Sequence, residues 1–344
     1  MKAHQRLSIA LSVFLAASAA VVLASAAPAY ADYPTITVRV ASVAGPTGSN
    51  AFATATVSCN QDETLVGGGG FAQPPAGSTN PSPLHLNGSF PSDAAGNPVS
   101  GTATSPGSWT AIAEEGGSAG TGTTTGAYAL CATDGDGLTT QVVAATVQGP
   151  STAGTVTATA DCPDGTYLLG GGAYAQPPAG STNPSPLHLN GSFPSDAAGS
   201  PVSGTASTAG SWSAAATSGS ALGSGTTTSA YAVCTDVAGS VVSTYVGFHG
   251  VSGPSTSGAF ATATTTPCLH HWGDELISGG ALTTAAGGQN AAPLHLNGSV
   301  PSDSSGDPVS DGSTGTFSWT GIAESGTSLT GVTTTAYAVC AQIQ

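Results

Sequence analysis

The sequence predicts an all-β protein made of three tandem β-sandwich or jelly-roll-like units, each with one internal disulfide, and three observations point there. Apolar and polar residues alternate over short runs separated by clusters of Gly, Pro, Asn, Asp and Ser, the period-two pattern of strands joined by turns. Cysteines stand at 59, 131, 162, 234, 268 and 340, so each successive pair is 72 residues apart. Whole segments also recur in step. FAQPPAGSTNPSPLHLNGSFPSDAAG from Phe71 returns from Tyr174 with only its first residue changed, and APLHLNGSVPSDSSG from Ala292 is a diverged third copy.

In the first unit the expected strands are 37–43, 52–57, 64–66, 84–86, 109–113 and 127–130. The first alternates as TVRVASV and ends at a Gly-Pro turn; Pro46, Pro150 and Pro254 repeat that turn every 104 residues and set the phase of the repeat. FATATV runs toward Cys59. TLV leads into four glycines, 67–70, where tight strand packing or a bulge is expected. LHL puts His85 on the face opposite Leu84 and Leu86; Asn87-Gly88 then reads as a tight turn, and Ser-Asp-x-x-Gly as another. WTAIA and AYAL close the unit, the latter at Cys131. A repeated spacing in an exported chain implies one pairing used three times, Cys59 with Cys131, Cys162 with Cys234 and Cys268 with Cys340. Each closes a loop worth roughly 4 kcal/mol on the chain-entropy argument.

The N-terminus has Lys2 and Arg6 ahead of an apolar stretch and Ala-Tyr-Ala at 29–31, the form of a secretory signal cut after Ala31. The units are then expected at 32–135, 136–238 and 239–344, with no transmembrane span in the mature chain and a secreted, extracellular location. Only 6% of residues are charged, with 3 Lys and Arg against 18 Asp and Glu. Arg39 is the one fixed cation left after cleavage. Binding to nucleic acid, which requires several phosphates to be neutralised, is excluded, and acidic ligands are disfavoured.

The combination CPDGTYLLGGGA from Cys162, a following Ser/Pro-rich segment, a Trp strand and AYAVC ending at Cys234 resembles a loosely defined group of secreted actinobacterial repeat proteins. That resemblance covers all three units and implies a structural module without implying an activity. The first and third units keep the cysteine and glycines but change the loop between them, to SCNQDETLVGGGGF and PCLHHWGDELISGGA.

The expected function is non-catalytic: extracellular surface or matrix contacts, or binding of a cell-wall or other extracellular glycan or protein. Trp109, Trp212, Trp319, His85, His188 and His295 are the candidate ligand contacts, with the tryptophans read first as core. The alternative is a secreted hydrolase of an extracellular polymer, using His85, Ser89 or Ser92, and Asp93. These residues crowd one strand and turn, unlike a triad gathered from distant segments. Asn87, Asn190 and Asn297 head N-G-S glycosylation triplets. No cofactor is expected; calcium is the rival, with Asp134, Asp136, Asp93, Asp196, Asp303, Asp307 and Asp311 as oxygen donors. His270, His271, Asp274 and Glu275 could coordinate a transition metal, but read first as a polar loop.

Overall fold

The computed structural model describes residues 35–343, apart from 79–82, 103–106, 118–119, 134–137, 203–209, 237–240, 269–273, 288, 290 and 316. The expected signal segment, both expected unit boundaries, Asp134, Asp136, His270 and His271 lie outside the described residues. All regular elements among the described residues are strands.

Each repeat folds as two three-stranded antiparallel sheets packed face to face. In the first repeat β1 (Ile36–Ala44), β7 (Thr124–Thr133) and β3 (Glu63–Gln73) face β2 (Ala51–Ser58), β6 (Ser108–Glu115) and β4 (Leu84–Ser92), with a short β5 (Gly101–Thr102) beyond. In the second, β8 (Thr140–Gln148), β13 (Thr227–Asp236) and β10 (Thr166–Gln176) face β9 (Gly154–Asp161), β12 (Ser211–Ser218) and β11 (Leu187–Ser195). In the third, β14 (Val241–Ser252), β19 (Thr333–Ile343) and β16 (Asp274–Thr284) face β15 (Ala259–Thr264), β18 (Ser318–Ser325) and β17 (Leu294–Ser302). The expected disulfides are present, with Cα atoms 5.6, 5.7 and 5.8 Å apart. Each ties the end of one sheet to the central strand of the other, so the two layers of a sandwich are covalently joined.

The repeats are not separate beads, because their sheets are joined by strand pairing. β4 pairs with β10 through Ser89 and Gly88 opposite Ala173 and Tyr174. β11 pairs with β16 through Gly191 and Ser192 opposite Leu282 and Ala281, and β17 pairs with β3 through Gly298 and Ser299 opposite Phe71 and Gly70. Half of each sandwich thus continues into the next repeat, giving three sheets, each shared by two repeats. The third repeat returns to the first, so the chain closes into a ring about an approximate threefold axis.

The glycine runs make this closure possible. Gly68, Gly171 and Gly279 lie under Trp109, Trp212 and Trp319, where a Cβ would overlap the indole and a backbone carbonyl. Gly69, Gly172 and Gly280 abut the Ser299, Ser89 and Ser192 carbonyls of the neighbouring repeats. These are close approaches of backbone and ring that only glycine permits. One residue earlier, a Cβ on Gly67 or Gly170 would strike the Ser278 side chain of the third repeat. Two of the three equivalent positions are glycine and the third is serine, because there is room for one side chain. The preceding residues, Val66, Leu169 and Ile277, fall at bulges and are each 1% exposed within one core.

The Asn-Gly pairs are not turns, contrary to expectation. β4 runs straight through Asn87-Gly88, and Asn87, Asn190 and Asn297 occupy β-bulges. Each extra residue turns its side chain to the next repeat. The Asn87 amide donates to the Leu187 carbonyl at 2.9 Å, Asn190 donates to Leu294, and Asn297 donates to Leu84 at 2.7 Å. Three side chains therefore lock three repeats in a cycle. They are buried, which removes them as glycosylation acceptors. The second expected turn does form: Asp93 accepts from the Ala95 and Asn97 amides at 2.9 and 2.8 Å, with Gly96 at φ 85°.

Two sheet edges, those of β1 and β8, are covered by neighbours as well. Val38 of edge strand β1 donates to Ser313 and accepts from Gly312, and β5 of the first repeat pairs with β8 of the second. Such covering blocks edge-to-edge association.

Candidate functional site

Two kinds of site arise where repeats meet. The first lies on the axis. His85, His188 and His295 stand one residue into β4, β11 and β17, and the cyclic arrangement brings their rings to centroid separations of 5.5, 5.5 and 5.6 Å. They are 3, 4 and 4% exposed and form the floor of a pocket of about 380 Å³. Register sets what stands opposite each: Glu114 faces His85, Thr217 faces His188, and Glu324 faces His295. The carboxylates approach the imidazole Nε2 atoms at 3.5 and 3.6 Å. Both are fully buried, and neither they nor the three Nε2 atoms have a hydrogen-bond partner.

Burial, reinforced by the charge that His85 and His295 would carry, holds the His188 imidazole well below the usual histidine range. His295 is also lowered, first by burial, with Glu324 opposing the shift. Among the described residues the one trio of Cys, His, Asp and Glu ligand atoms within 4.8 Å of one another belongs to Cys59, Glu63 and Cys131. Two of those sulfurs are committed to a disulfide. The imidazole nitrogens thus do not converge on one metal-sized point.

The second kind of site is a groove present twice on the surface. In one copy, of about 310 Å³, Phe52 and Ile112 of the first repeat face Tyr174, Gln176 and the Pro177-Pro178 loop of the second. In the other, of about 390 Å³, Phe260 and Ile322 of the third repeat face Phe71, Gln73 and the Pro74-Pro75 loop of the first. Phe52 and Phe260 are 42 and 41% exposed, which places them with Val43 and Phe248 as the exposed large hydrophobic side chains among the described residues. Strand register identifies the third equivalent place, at the junction of repeats two and three. It holds Thr155 for Phe, Ala215 for Ile, Leu282 for the second aromatic and Thr284 for Gln, followed by Ala285-Ala286 in place of Pro-Pro. Five features change together at one junction and stay together at two.

The sequence-predicted residues divide sharply. Trp109, Trp212 and Trp319 are fully buried, and each indole N–H donates to a serine hydroxyl, of Ser89, Ser192 and Ser299, at 2.9, 3.0 and 2.9 Å. They have no surface to offer a ligand, and core packing explains them. Ser89 is thereby committed to Trp109, Ser92 bonds Thr110 at 2.7 Å, and Asp93 caps its own turn; His85 faces Glu114, so no triad assembles. Asp196 and Asp303 cap the equivalent turns, Asp307 donates its amide to Asp303, and Asp311 accepts from the Val40 amide. Asp274 and Glu275 begin β16, and burial raises the Glu275 carboxyl.

Sequence reasoning placed the three histidines as equivalents but not their meeting, since nothing local encodes the ring. Phe52 and Phe260 read in sequence only as strand residues; the middle unit lacks the Phe and the third lacks Pro-Pro, and only the ring brings those two losses to one junction. No protein-family profile matches the chain, and none of the curated proteins shows significant similarity to it.

Proposed function

We propose that this is a secreted, non-catalytic binding protein that holds a neutral polysaccharide of a cell wall or extracellular matrix in two like grooves. One observation carries the proposal: exposed Phe, second aromatic, Ile, Gln and Pro-Pro are retained as a set at two junctions and replaced as a set at the third. Aromatic and proline surfaces pack against the C–H faces of sugar rings, and a glutamine amide both donates to and accepts from hydroxyls. A neutral ligand fits the charge. The chain has 18 acids, and its one described fixed cation, Arg39, is held by Glu63, so an anionic polymer would be repelled. The disulfides suit an oxidising extracellular setting, and no helix among the described residues is long and apolar enough to cross a membrane.

Two grooves on one rigid body also give avidity on a repeating polymer. The test is retention on insoluble cellulose, chitin and cell-wall preparations, with soluble sugar released into the supernatant measured in parallel. Wild type should be retained without releasing sugar. Phe52→Ala or Phe260→Ala should weaken retention at least tenfold, and the double variant should abolish it. Equal retention of the double variant, or steady release of sugar, would overturn the reading.

A further inference from the structure

The axial cluster is independent of the grooves. Five ionisable groups, His85, His188, His295, Glu114 and Glu324, lie at most 4% exposed around one axis, with seven nitrogen and oxygen atoms lacking hydrogen-bond partners. Arg39, the one described Lys or Arg, is engaged with Glu63. The elements packed around the imidazoles contribute Glu114 from β6, Glu324 from β18 and the neutral Thr217 from β12. Glu115, the next residue of β6, belongs to the alternate face of its strand. The rim above is proline, glycine, serine and alanine and carries no titratable group.

We propose that this cluster is an acid-sensitive clasp: β4, β11 and β17 close around the axis with His188 and His295 uncharged, and proton uptake in mild acid puts positive charge among the packed imidazoles and loosens that closure. The second repeat is its weak point. His85 and His295 each have a carboxylate within 3.6 Å to offset a gained proton; His188 faces Thr217, whose hydroxyl is bonded to Thr155 at 2.7 Å. The sign follows from linkage. His188 and His295 hold protons less tightly in the folded ring than in the unfolded chain, where the ordinary value is 6.5. Stability is therefore full above that value and falls as pH drops below it, because the unfolded state takes up protons first.

Urea unfolding of the whole mature protein from pH 8 to pH 5 tests this, together with amide exchange in β4, β11 and β17. The unfolding constant should rise below pH 6.5 with a limiting slope of about tenfold per pH unit for each proton taken up, with exchange quickening first on those strands. His188→Gln should remove about one proton from the slope. Thr155→Phe with Thr217→Glu, which installs the pair found in the other two repeats, should flatten the slope while keeping His188. If His188→Gln does not fold, a histidine NMR titration of wild type replaces it, and His188 should stay neutral in the folded protein well below pH 6.5. A flat wild-type profile, an unchanged slope in the variants, or folded His188 titrating at or above 6.5 would each overturn the proposal. So would sharp stabilisation by zinc at pH 7.5 that a chelator reverses, since the imidazoles would then be metal ligands.

Discussion

Gly67 in the first repeat and Ser278 in the third occupy equivalent places in sequence and adjoining places in space, so close that a Cβ on Gly67 would overlap the Ser278 hydroxyl. Gly170 makes the same approach from the second repeat. The axis can hold one side chain where three strands converge, and the differing residue types are what a closed ring of near-identical units requires.

Gly67→Ala should therefore destabilise the protein by about 1–3 kcal/mol, the usual cost of overpacking a close-fitting core. Ser278→Gly should recover part of that loss in the double variant. Urea midpoints of the two single variants and the double form a cycle that reads the coupling; strict additivity would show that the three positions do not compete for one space.

The asparagine cycle makes a second prediction. Asn87→Ala should leave the Leu187 carbonyl without its amide partner in a buried setting, at a cost of about 1–3 kcal/mol. Asn190→Ala and Asn297→Ala should cost similar amounts, because all three make the same bond. Chemical denaturation of each variant checks this, and an effect confined to one position would argue against a ring.

The Arg39 and Glu63 pair predicts a separate acid effect. Burial alone would raise the Glu63 carboxyl, but the Arg39 guanidinium and the Asn60 amide outweigh it and hold the group below its ordinary 4.5. A carboxyl with a depressed folded value contributes stability that is present above the unfolded value and is lost as pH falls through the folded one. Wild type should thus lose stability below about pH 4.5 more steeply than Arg39→Gln, as measured by urea midpoints between pH 6 and 3. Matching profiles would remove the pair as a contributor. This window lies below that of the histidines, so the two effects separate.

Much of the fold was legible because it is local. Alternation located the strands, the 72-residue intervals located the disulfides, and Ser-Asp-x-x-Gly located a turn. What went unread depends on partners distant in sequence. Asn87-Gly88 has the composition of a hairpin turn, yet the bulge is favoured because Asn87 finds a carbonyl 100 residues away. β3 continues through four glycines that would weaken an isolated strand, because Ser278 and Ser299 of the third repeat fill the space at Gly67 and Gly69, and Trp109 and Ala111 of its own repeat fill it at Gly68 and Gly70. The grooves and the histidine cluster are properties of junctions, and a repeat read alone contains half of a groove and one of the three imidazoles.

That makes cooperativity the central claim, since both proposed activities need the ring intact. Scanning calorimetry of the oxidised chain from Asp32 onward at pH 7.5 tests it most directly. Shared sheets and the asparagine cycle predict one transition whose calorimetric and van't Hoff enthalpies agree for the whole chain. They also predict that an isolated middle repeat, 137–236, fails to give a cooperative transition of its own. Three separable transitions in the full protein, or a middle repeat that melts cooperatively at the temperature of the whole, would contradict the account.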